Sequence, residues 1–112
     1  MTPRTAARLW ALQRLSAAYL AIAVLVHLAT IIYAIHGGLS SAEILGRTQG
    51  NLAWLLFYAS FVVAVALHMP IGLRNVLSEH LGWRGRSLDL AMLAVALVVL
   101  GLGAQAVLGV FL

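Results

Sequence analysis

LAWLLFYASFVVAVALHMPIGL, residues 52–73, runs 22 residues without a charge, and His68 is its one imidazole. A membrane helix needs about 20 consecutive apolar residues. Lipid offers no partner for backbone N–H and C=O groups, so the segment must be a helix rather than a strand. Two more segments read the same way on either side. Leu15 to Ile35 carries no charge and holds His27, while Leu90 to Leu112 has Gln105 as its one strongly polar side chain. The expected fold class is an all-α membrane protein with three transmembrane helices, about 15–35, 52–73 and 90–112, in one domain covering 1–112.

Composition agrees. The chain is 63% hydrophobic and 9% charged, with a mean hydropathy of +1.03. A soluble domain carries about a quarter charged residues, so a water-filled globular enzyme is excluded. The absence of cysteine excludes disulfides, thiolate metal sites, iron–sulfur ligation and covalent c-type haem. All seven cations are Arg, against three acidic residues, yet no basic stretch interleaves with aromatics, so no nucleic-acid partner is expected.

The arginines orient the chain. Arg4, Arg8 and Arg14 precede the first span, and Arg74, Arg84 and Arg86 lie between the second and third. The intervening loop has Arg47 alone, offset by Glu43. The positive-inside rule then predicts a cytoplasmic N-terminus and a periplasmic C-terminus in a bacterial inner membrane, with Trp10 and Trp83 at the inner interface. The first span is too long for a cleaved signal peptide and is expected to remain.

Local signals place the helix ends. The first helix should begin well before the lipid and end at His36-Gly37-Gly38, where glycine suits a C-cap. Ser40 and Glu43 have capping-box spacing, predicting a short surface helix in the outer loop. The second helix should continue past Arg74 to Leu81 and stop at Gly82. Ser87 is a candidate N-cap for the third, with Asp89 near its positive end. Membrane helices associate through small residues, here Ser16, Ala17, Ala21 and Ala23 on the first and Gly101, Gly103, Ala104 and Gly109 on the third. So small a bundle leaves little interior, which points to a subunit of a larger helical assembly.

Ionisable side chains in hydrocarbon are costly and mark function by default. His27 and His68 are the two imidazoles inside the spans. A neutral imidazole is the commonest side-chain metal ligand, and in a cysteine-free membrane helix the natural metal is haem iron. The bland alternative is a histidine bonded to a carbonyl or another chain. Around His68, Gly72 lies one turn away on the same face and leaves room for a flat macrocycle edge. Pro70 cannot donate to the carbonyl of Ala66, and Arg74 is placed to meet a haem propionate or a quinone oxygen.

The run His68-Met-Pro-Ile-Gly72-Leu-Arg74, followed by Glu79, resembles the His-x-x-x-Gly-x-Arg…acidic signature of the cytochrome b membrane anchors of succinate dehydrogenase and fumarate reductase. Gln13-Arg14-Leu15-Ser16 resembles the Arg-x-Ser that opens the first helix of that family. The chain departs from the pattern at Asn75, where the family often has His, at Ala17 in place of Gly, and at Trp10 in place of a quinone-associated Ser. The resemblance implies His68 as an axial ligand of haem b, Arg14 in a quinone pocket, and Ser16 at the quinone or the haem edge. It also implies an iron–sulfur subunit and a flavoprotein subunit as partners, with quinone as substrate. The competing function is a non-redox three-helix scaffold or assembly subunit.

His27 extends the expectation. Arg14 to His27 is 13 residues, about 20 Å of helix, and His68 to Arg74 is six, about 9 Å. If both arginines mark the inner interface, the histidines differ in depth by roughly 10 Å, too far apart to ligate one upright haem. His27 is therefore assigned to a second haem. That gives two haems b per assembled anchor, shared with a second anchor subunit or a second copy of this chain. Among the remaining groups, His80 reads as an interfacial side chain or a proton relay, and His36 as a helix-end residue. Tyr19, Tyr33 and Tyr58 could bond a quinone or simply pack, and Gln105 could bond across helices.

Overall fold

Pro3 opens the first helix, where its missing N–H costs nothing, and the Thr2 hydroxyl accepts the Thr5 amide at 3.1 Å. Helix α1 (Pro3–Gly37) thus starts well before the apolar run, in a computed structural model that describes residues 2–112. Its 35 residues measure about 52 Å, more than the ~30 Å of hydrocarbon in a bilayer, so its ends stand clear of the lipid. Next come α2 (Ser41–Thr48), α3 (Leu52–Leu81) and α4 (Arg86–Phe111). All the regular structure among the described residues is helical, and α1, α3 and α4 are each long and apolar enough to cross a membrane.

The α1–α2 turn depends on Gly38. Its φ of +120° is one that side-chain-bearing residues rarely adopt, and the Glu43 carboxylate fills the space a Cβ would need. Ser40 caps α2 by accepting the Glu43 amide at 3.2 Å. The predicted capping box is therefore half made, because the Glu43 carboxylate lies against Gly38. Arg47 donates to the Gly38 carbonyl at 3.1 Å and lies over the Tyr33 ring.

The segment after α2 closes the far end of α4. Thr48 Oγ1 donates to the Val110 carbonyl at 2.8 Å, Gly50 N–H to Phe111 at 2.8 Å, and Gln49 Nε2 to Leu112 at 2.6 Å. These bonds satisfy carbonyls that a helix end leaves open. Asn51 then caps α3 through the amides of Ala53 and Trp54, and Gly82 ends that helix as expected. The predicted cap at Ser87 does not form. Gly85 is the N-cap of α4, and Ser87 Oγ accepts the Trp83 indole N–H at 2.8 Å, because the turn brings the indole over the hydroxyl first.

Helix α3 lies centrally, packing against α1 on one side and most extensively against α4 on the other. What is buried is scant and mostly small: Ser16, Ala23 and Ala34 on α1, Ala64 and Pro70 on α3, and Leu88, Met92 and Val107 on α4. Most large apolar side chains look outward. A bundle in lipid needs close contact between helices more than a hydrophobic core.

The predicted small-residue surfaces divide accordingly. Ser16, Ala23 and Gly103 lie in helix contacts, whereas Ala17, Ala21 and Ala104 are exposed and Gly101 and Gly109 face open space. One stripe of α4 suffices to meet α3, and the rest is left for lipid or other helices. At Gly103 a Cβ would lie 2.5 Å from Val62 Cγ1, 2.9 Å from Cγ2 and 3.2 Å from Cβ. Rotating Val62 cannot clear all three atoms. Gly103→Ala is expected to separate α3 from α4 at a cost of about 1–3 kcal/mol, read as earlier heat inactivation of the solubilised protein.

Candidate functional site

The Arg-x-Ser turn of α1 meets the histidine of α3. Ser16 Oγ lies 3.3 Å from His68 Nδ1 and 3.1 Å from the Gln13 carbonyl, to which it donates. Ser16 is 7% exposed and is the buried polar residue of the described chain. His68 is half-buried. Its Nε2 makes no hydrogen bond to any described residue. The residue that sequence reasoning missed is Gln13. Its Nε2 sits 3.1 Å from where a Gly72 Cβ would be, and its Oε1 is buried without a partner. The room beside Gly72 is thus taken by an amide from α1, and only the α1–α3 contact could have shown it.

Below His68 the arginines occupy different levels. Arg74 Nε donates to Asp89 Oδ1 at 3.0 Å, tying α3 to the first turn of α4. Arg14 is exposed, with its guanidinium carbon 5.5 Å from the centre of the Trp10 ring. Ser16 is level with His68, so Arg14, two residues below Ser16, lies about 3 Å beneath it, and Arg74, six below His68, about 9 Å beneath it. Trp10 is the α1 residue level with Arg74. Both line a cavity of about 250 Å³ with Leu9, Gln13, Ile71 and Asn75. Arg74 also borders a larger space of about 500 Å³ between the bases of α1, α3 and α4, beside Ser78, Arg84 and Asp89.

The premise that Arg14 and Arg74 share one depth is therefore corrected, since Trp10, four residues before Arg14, is the one opposite Arg74. The separation of the histidines grows as a result. His27 Nδ1 lies 3.3 Å from the Tyr58 hydroxyl, which fixes a second level across the same two helices. Eleven residues separate Ser16 from His27, and ten separate Tyr58 from His68, giving offsets of about 16.5 and 15 Å along the two helices.

His27 is half-buried and meets the rings of Tyr58 and Phe61 edge-on, at 5.7 and 5.8 Å between centroids. Two apolar cavities flank it under α2. One, of about 240 Å³, includes Ala34, Ile44, Arg47 and Trp54; the other, of about 320 Å³, includes Val62, Gly103 and Val107.

Other candidates fall outside these two levels. His36 Nδ1 bonds the Ile32 carbonyl at 2.9 Å, and His80 is exposed in the last turn of α3. Tyr19 bonds Ser60, Tyr33 supports Arg47, and Gln105 is exposed on α4. Among the described residues no three histidine or acidic side chains converge on a metal site. Each of the two levels holds one imidazole.

Residues 1–103 match the family of succinate dehydrogenase/fumarate reductase transmembrane subunits. No curated protein and no solved structure matches the chain.

Proposed function

This chain belongs to the succinate dehydrogenase/fumarate reductase transmembrane subunit family, and on that basis we propose that it binds haem b and helps connect soluble catalytic subunits to membrane quinone. Membership carries residence in the membrane and partnership with catalytic subunits. The finer reading rests on one observation. His68 Nδ1 pairs with the hydroxyl of buried Ser16 while Nε2 makes no hydrogen bond among the described residues, the arrangement in which an imidazole would hold a haem iron through Nε2. A bound haem would supply one-electron transfer between partner clusters and quinone.

The chain's own residues have distinct tasks in this reading. His68 and His27 would each offer one imidazole to a haem iron, with the remaining ligand supplied by a second anchor subunit or a second copy of this chain. Gly72 admits the Gln13 amide, whose Nε2 lies 3.1 Å from where a Cβ would stand, so α1 approaches α3 closely one turn below His68. Arg74, with Nε committed to Asp89, keeps its terminal nitrogens for a propionate or a quinone oxygen. Arg14, braced over Trp10 and close to the His68 level, donates to quinone. The arginine-rich end faces the cytoplasm of a bacterial inner membrane, where an iron–sulfur subunit and a flavoprotein subunit dock.

The test uses the purified complex. Its dithionite-reduced spectrum should show a b-type α-band. Arg14→Leu should slow succinate-to-quinone turnover by about tenfold to a hundredfold, the worth of a charged hydrogen bond, and leave succinate-to-dye turnover intact. Absence of the band in the full complex would return the chain to a scaffold role. Equal loss of both activities would make Arg14 an assembly residue.

A further inference from the structure

We propose that Ser16 is a positioning residue that fixes the tautomer of His68, through the relay His68 Nδ1–H to Ser16 Oγ–H to the Gln13 carbonyl. The proposal rests on the reading of His68 as a haem ligand and deepens it. A serine hydroxyl has one hydrogen and two lone pairs. The Gln13 carbonyl, 3.1 Å away, has no hydrogen to give, so the hydroxyl hydrogen points there. A lone pair is left for His68 Nδ1 at 3.3 Å, and the imidazole must supply that proton.

A neutral imidazole carrying its proton on Nδ1 has its free pair on Nε2. That is the nitrogen that makes no hydrogen bond among the described residues. Had the hydroxyl turned to His68 instead, two oxygens would face each other unbridged at 3.1 Å in a buried place. Because its only hydrogen is spent on Gln13, Ser16 has none for a quinone oxygen. Its hydroxyl belongs to the haem ligand. The pair at His27 lacks this constraint, since nothing else among the described residues engages the Tyr58 hydroxyl.

An acceptor on the far nitrogen orients a ligating imidazole and raises its basicity, and losing such a partner typically costs about tenfold to a hundredfold in metal affinity. The experiment titrates haemin into haem-depleted complex and measures the midpoint potential of the reconstituted haem. Ser16→Ala should weaken haem binding by about tenfold to a hundredfold and raise the potential, because a less basic imidazole stabilises ferric iron less.

Ser16→Thr keeps the hydroxyl and should bind within about threefold of wild type at an unchanged potential. Ser16→Cys, of similar size with a weak acceptor, should follow Ala and supplies the comparison if the Ala variant does not assemble. Equal weakening by Thr and Ala would assign the effect to packing and overturn the proposal. So would wild-type affinity and potential in Ser16→Ala alongside haem loss in His68→Ala, with the ligand reading intact. Retention of haem by His68→Ala would remove the ligand reading itself, and this proposal with it.

Discussion

His68→Ala is expected to remove one b-type haem from the assembled complex, with total haem falling from about two per anchor to about one and the low-spin spectrum of the lost haem disappearing. Among the described residues the imidazole makes one hydrogen bond, through Nδ1 to Ser16, and its other nitrogen makes none. Alanine leaves the helix intact, being the best helix former. The structural cost is limited to one hydrogen bond of about 0.5–1.5 kcal/mol and a small void. Assembly should therefore survive, shown by unchanged succinate-to-dye turnover. The void beside Ser16 suits free imidazole, and adding it should restore part of the spectrum. An unchanged spectrum and haem content would reject the axial assignment.

The second large effect concerns His27. In His27→Ala one haem should be lost while the His68 haem keeps its spectrum and potential, so the two substitutions together should leave almost none. The reason is depth. An offset of about 15–17 Å, fixed by the Ser16–His68 and His27–Tyr58 pairs, prevents the two imidazoles from reaching one iron atom. A pyridine haemochrome assay on wild type and the two variants decides the matter. One haem in wild type, indifferent to the His27 change, would leave His27 as a packing partner of Tyr58 and Phe61. Loss of both haems in His27→Ala would instead point to a general assembly defect, and dye turnover would then fall as well.

The two histidine levels differ in how far the sequence reveals them. Spacing within one helix is legible, because 1.5 Å per residue relates His68 to Arg74 and Arg14 to His27 without any structure. Spacing between helices is not, since it needs the register of α1 on α3. Equating Arg14 with Arg74 gave roughly 10 Å, and the error came from Trp10, not Arg14, standing opposite Arg74. Gln13 is illegible for the same reason. A glutamine beside an arginine near a helix entrance looks ordinary until the glycine of another helix is seen to admit it.

Hydropathy, cap spacing and glycine punctuation determined the three long helices, the short outer helix and most of their ends, the start of α4 excepted. Lipid forces each apolar run to satisfy its own backbone, and such rules act within a single segment. The His68 motif likewise carried the family. Tertiary structure alone decided which residues face each other. Ser16 reaches His68, Tyr58 reaches His27, Asp89 holds Arg74, and the turn after α2 closes over the end of α4. Helix packing in a membrane has no strong hydrophobic pattern to fix it, because lipid is as apolar as the side chains. Register is instead set by a few close contacts such as Gly103 on Val62 and by these polar pairs, whose partners lie 15 to 62 positions apart in the chain.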